Sequence, residues 1–112
     1  MNSKDLMYGN LLYYDNTQIA VDHNVINRIG SGEPHFKPIP ISDHRLRVNG
    51  FHPDGKIYEM KFGFQVLALV EQKDCYLAKV TDQTTRSTVS LRTIEYWHEL
   101  QNLVKIVFNF DL

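Results

Sequence analysis

The stretch Lys56–Val80, KIYEMKFGFQVLALVEQKDCYLAKV, decides the fold. In its first part Tyr58, Met60 and Phe62 alternate with Ile57, Glu59 and Lys61, the period-two pattern of a strand with one buried face. Phe64–Val70 is almost wholly apolar, which predicts a central strand covered on both sides. Gly63, between the two, marks a bulge or a bend. The polar EQKD then turns the chain. CYLAKV (Cys75–Val80) and STVSLR (Ser87–Arg92) supply two further strands, separated by the polar TDQTTR. Strands joined by short polar turns predict an antiparallel meander.

Upstream, Leu11–Tyr14 and Gln18–Val21 are rich in strand formers and flank the turn residues Asp15–Asn16–Thr17, a hairpin signature. Gly9–Asn10 can take positive φ and bend the chain into it. DHNVINRIGSG then predicts a short helix capped by Asp22, with Val25, Ile26 and Ile29 on its apolar side and Gly30 as its stop. Pro34, Pro38 and Pro40 predict an extended surface linker, pinned by Ile39 and Ile41. SDHRLRVNGF predicts a second short helix. Ser42 caps it, Asp43 lies in the first turn, and Gly50 stands at C′ with Leu46 and Phe51 in Schellman contact.

Downstream, TIEYWHELQNLVKIVF predicts a helix capped by Thr93, with Glu95 in its first turn. Its apolar stripe runs through Ile94, Trp97, Leu100, Leu103, Val104, Val107 and Phe108. The whole predicts an α+β domain spanning residues 1–112: an antiparallel sheet of about four strands, an N-terminal hairpin that can extend it into a partly open barrel, two short helices, and a C-terminal helix packed on the sheet.

The totals narrow the function classes. Length fits one domain, and the 43% apolar and 22% charged fractions exclude disorder over the whole chain. A net charge of −1 disfavours general binding to a phosphate backbone. Cys75 is alone, so no disulfide framework forms within the chain. MNSKDLMYGN carries no apolar run of leader length, and Val66–Val70 is too short to cross a bilayer. The expectation is a cytoplasmic chain with no membrane partner.

Four groups could carry chemistry. In the last helix, WHEL resembles half of the zinc helix H-E-x-x-H, but Asn102 stands where the second histidine belongs, so no metal ligand set results. Glu95 and His98, three apart, could meet across one turn as a general-base pair. The structural alternative has His98 and Gln101 bonded to loop backbone, with the proline-rich linker as the loop. His23, His35, His44 and His52 have no metal-ligand spacing. His44, Arg45 and Arg47, near Lys37, could touch a phosphate, or form a solvated face with Arg47 at the helix C-terminus. Tyr13 and Tyr14 point to opposite faces of a strand, which leaves one of them exposed for recognition. No residue set implies a cofactor.

Three landmarks, DLMYGNLLYY, FKPIPISDHRLRVNGF and IEYWHELQNL, together resemble a group of short uncharacterised bacterial proteins found in phage-derived and other mobile regions. That group carries L-x-x-G-N-x-V, P-I-P-L-T-E-E-x-L-x-x-x-G-F and V-H-x-L-Q-N-L in the same order. The matching residues are Gly9, Asn10, Pro38, Ile39, Pro40, Leu46, Gly50, Phe51, His98, Leu100, Gln101, Asn102 and Leu103. SDHR departs from the acidic start of the middle motif, Trp97 replaces a smaller aliphatic residue, and the ending FNFDL is unlike the group's polar one. The resemblance implies a bacterial or phage setting and no particular activity.

The functional expectation is therefore a non-enzymatic interaction module of phage or mobile-element origin whose partner is another protein. Nucleic-acid binding through the hairpin and the His44–Arg47 helix comes second, and a hydrolase centred on Glu95 and His98 third. The side chains expected at a site are His98, Gln101, Asn102, Glu95, Arg45, Arg47 and Tyr14.

Overall fold

The computed structural model describes residues 3–112. After a 3-10 turn at Ser3–Asp5, the elements are β1 (Leu11–Tyr14), β2 (Thr17–Ala20), α1 (His23–Gly30), β3 (Phe36–Pro38), α2 (Asp43–Val48), β4 (His52–Asp54), β5 (Ile57–Phe62), β6 (Gln65–Glu71), β7 (Tyr76–Asp82), β8 (Ser87–Ile94) and α3 (Trp97–Phe108). The fold is α+β, with two antiparallel sheets ordered β2-β1-β3 and β4-β5-β6-β7-β8. The chain forms two compact units, residues 1–40 with 96–112, and residues 41–95.

In the first unit the expected hairpin forms with Tyr14 paired to Thr17, and Asp15 takes a φ of 54° in the turn. Gly9 has the positive φ that the bend before β1 requires. Asp22 caps α1 by accepting a hydrogen bond from Val25 N–H at 2.9 Å. The left-handed stop residue lies two positions later than expected. Gly30 is still helical, and Gly32, at φ +85°, is the left-handed C′ residue. Gly32 N–H donates to Ile29 C=O and Glu33 N–H to Arg28 C=O, the paired bonds of a Schellman motif. The proline-rich segment is not simply a surface linker. Phe36–Pro38 forms β3 on the free side of β1, so the hairpin becomes a separate three-stranded sheet. Pro38 is tolerated because β3 is an edge strand. Leu6, Leu12, Val21, Val25, Ile29 and Phe36 make a core here, and α3 lies against β1.

In the second unit the meander is as the alternation predicts, with β6 at its centre. It has five strands rather than four, because His52–Asp54 pairs with β5. Gly63 (φ +61°) is the turn between β5 and β6, so Phe64 is exposed rather than part of the central strand. Leu67, Leu69, Ala78 and Val80 are buried along β6 and β7. Helix α2 has both expected caps: Ser42 Oγ accepts from Arg45 N–H, Phe51 N–H donates to Leu46 C=O, and Gly50 N–H to Arg47 C=O. Leu46 and Phe51 are fully buried.

The largest boundary difference lies at the last helix. β8 continues through Thr93 and Ile94, and α3 begins only at Trp97 with Tyr96 as N-cap. Both are β-branched and pair with Leu77 and Tyr76, so the ladder outcompetes an earlier cap. Glu99, not Glu95, serves the helix start: its Oε1 accepts from Tyr96 N–H at 3.0 Å. Among the described residues, no helix is long and apolar enough to cross a membrane.

Candidate functional site

The first and last landmarks meet in the first unit. Asn10 Nδ2 donates to Asn102 Oδ1 at 2.8 Å, and Asn10 Oδ1 accepts from Met7 N–H at 2.7 Å. Asn102 Nδ2 donates to Asp5 C=O at 2.8 Å. Gln101 Oε1 accepts from Leu11 N–H at 2.8 Å, while its Nε2 lies 3.3 Å from both Gly9 C=O and Leu112 C=O. Asn10 and Gln101 are buried. A cleft of about 290 Å³ borders this network and is lined in part by Tyr8, Lys105, Asp111 and Leu112. Lys105 and Asp111 form an ion pair at 3.1 Å across its rim. The amides are thus committed to backbone and to each other, which makes them a clamp holding the Met7–Leu11 segment on α3.

For Gln101, that arrangement corrects the expected bonding to the proline-rich segment. Gln101 reaches the segment before β1 instead, because α3 sits on β1. The carbonyl of Ile39 is satisfied by backbone, accepting from Trp97 N–H at 2.8 Å. His98 is buried, with its ring parallel to Tyr96 at a centroid distance of 6.0 Å. Trp97 and Leu100 are buried as expected. Glu95 precedes the helix rather than standing in its first turn. Among the described residues, no cluster of three or more His, Cys, Asp or Glu is placed to hold a metal.

The basic helix is internally engaged. Arg47 Nε donates to both carboxylate oxygens of Asp43 at 2.9 Å, and Tyr58 O–H donates to Asp43 Oδ1 at 2.6 Å. The Tyr58 bond, then Arg47, holds the Asp43 carboxyl below its usual range. The same bond, with burial, pushes the Tyr58 phenol up to about 12. Arg45 is half-buried. The hairpin and α2, invoked together for nucleic acid, belong to different units.

Tyr14 is half-buried, as is Tyr13, so neither strand face leaves a tyrosine fully open. Tyr14 O–H donates to Glu33 at 3.1 Å, and Arg28 makes a bidentate pair with Glu33 at 2.6 and 2.7 Å. The Arg28 guanidinium lies 5.0 Å from the Tyr14 ring centroid and 5.1 Å from that of Phe36. Its bonds keep the Glu33 carboxyl low. This cluster ties α1 and its following turn to the sheet.

Sequence reasoning found β8 as a strand but passed over its open edge. Among the described residues β8 has a strand neighbour on one side only, and every residue from Ser87 to Thr93 is exposed. Val89 is 58% and Leu91 39% exposed. A β-bulge opposite Ala78 and Lys79 lets Leu91 fall outside the pairing. The opposite edge of the same sheet, β4, is three residues long and carries Pro53, both devices that block strand addition. β8 is eight residues long, without proline. The available signal was STVSLRT itself, a strand-forming run with no continuous apolar face.

Comparison of the chain with protein-family models, curated proteins and solved structures found no match.

Proposed function

We propose that this chain is a small non-enzymatic interaction module that engages another protein by strand addition along β8. The observation that carries the reading is the contrast between the two edges of one sheet. β4 is short and interrupted by proline, whereas β8 offers an eight-residue backbone edge and two exposed aliphatic side chains. Edge pairing supplies affinity through main-chain hydrogen bonds, and alternate side chains supply selectivity. The commitment of Gln101, Asn102 and Arg47 to internal bonds supports a binding rather than a catalytic role. The three landmarks support a bacterial or phage setting, as an accessory protein of the cytoplasm.

Site-directed photo-crosslinking in cells tests this. A photoreactive side chain at Val89 should capture a protein that the same group at His52, on the opposite edge, does not. Mass spectrometry of the adduct should identify an extended partner segment. Equal capture from both edges, or none from Val89, would overturn the reading.

A further inference from the structure

We infer that Asn49 is a modification site that the folded chain keeps closed: its side-chain amide deamidates through a cyclic imide with Gly50 when the end of α2 opens, and the product weakens the cap that held it. Asn49–Gly50 is the one place in the sequence where glycine follows asparagine. Glycine has no Cβ to shield its backbone nitrogen or to restrict its approach, so that nitrogen can reach the amide beside it. The step needs no reagent except water. The Gly50 nitrogen bonds to Asn49 Cγ and gives up its proton, and Nδ2 leaves as ammonia. Water then opens the ring at either carbonyl. The product is aspartate, or isoaspartate with the main chain rerouted through the side chain.

The fold opposes ring closure in three ways. A ψ of 10° at Asn49 eclipses the Gly50 nitrogen with the nitrogen of Asn49 itself, whereas attack on Cγ requires it to eclipse Cβ. Gly50 N–H donates to Arg47 C=O at 3.2 Å, and Phe51 N–H donates to Leu46 C=O at 3.0 Å, so the backbone cannot turn toward the side chain without losing both bonds. Asn49 Nδ2, the nitrogen that must leave, donates to Arg45 C=O at 2.8 Å. All three restraints belong to the last turn of α2 and are lost together when it opens. That helix has only six residues, too few to be stable by its own backbone bonds, and Gly50 is exposed.

The product acts on the same turn. An aspartate at this position replaces the Nδ2 donor with a carboxylate oxygen facing Arg45 C=O. It also sets an anion at the helix end whose dipole opposes one. Isoaspartate adds a main-chain atom inside the loop closed by Phe51 N–H and Leu46 C=O. Deamidation is therefore a one-way record that α2 has opened.

Peptide mapping by mass spectrometry of the full chain, incubated in mildly alkaline buffer, tests this. The chain unfolded in guanidinium chloride should convert Asn49 about tenfold or more faster than the folded chain. Ser42→Ala removes the acceptor for Arg45 N–H at the start of α2. It should speed conversion in the folded state about fivefold, with circular dichroism confirming that the variant folds. Sub-denaturing guanidinium gives the same test on wild type, since the rate should climb with each increment. Asn49→Asp, the product made directly, should melt below wild type. A folded chain that converts as fast as the unfolded one would sink the inference, as would a rate indifferent to both Ser42→Ala and denaturant. An Asn49→Asp protein that melts with wild type counts equally against it.

Discussion

At the scale of single residues, two positions carry consequences that can be measured. Gly50 has a φ of +98°, and a Cβ there would lie 3.3 Å from Met60 Cε. Both the left-handed backbone and the close approach oppose a side chain. Gly50→Ala should lower stability by about 1–2 kcal/mol, read from chemical denaturation. The second position is Tyr58, whose hydroxyl bonds Asp43. The phenol is raised to about 12, so its contribution is complete below the ordinary value near 10 and is lost as pH rises from there to about 12. Asp43 is shifted the opposite way. Its contribution is present above the ordinary carboxylate range and is lost as pH falls through its lowered value. Tyr58→Phe should therefore remove a late phenolate from the alkaline ultraviolet titration. It should also move the acid unfolding midpoint to higher pH.

At the scale of elements, α3 is joined to the segment before β1 by amides rather than by ion pairs. Gln101→Ala would leave the Leu11 N–H without its acceptor, and Gly9 C=O without the Nε2 donor. The expected loss is about 1–3 kcal/mol in a denaturation series, with faster hydrogen exchange at the Leu11 amide. A Gln101→Ala protein with an unchanged midpoint would show that solvent replaces the clamp without cost. Among the strands, the same scale separates β4 from β8. Length and proline protect one edge, whereas hydroxyl-rich exposed sequence leaves the other open to pairing.

At the scale of the whole molecule, charge bears on nucleic acid. Net charge is −1, and Arg47 is paired with Asp43. Phosphate binding relies on clustered basic side chains that release counterions. Titration with labelled single- and double-stranded oligonucleotides at two salt concentrations should show no salt-dependent binding. A steep loss of affinity with rising salt would restore the basic helix as a site.

Local chemistry by itself determined the caps, the turns and the strand pattern. Asp22, Ser42 and Gly50 act through hydrogen bonds and φ preferences that span only a few residues, so their roles can be read from neighbours in sequence. The alternation in Ile57–Phe62 likewise encodes its more covered face, whereas the apolar run of β6 overstated the cover: Leu67 and Leu69 are buried, but Val66, Ala68 and Val70 on the other face are half-buried. Only the tertiary structure decided where β3 pairs, where α3 begins, and what Gln101 bonds. Each depends on a partner far along the chain: β1 for Phe36–Pro38, β7 for Thr93 and Ile94, and the Gly9–Leu11 backbone for Gln101. The open edge of β8 is also a tertiary fact, since a strand's sequence does not state which of its two sides is left without a neighbour. Propensity is local, whereas ladder pairing and side-chain satisfaction are settled by which surfaces the fold brings together.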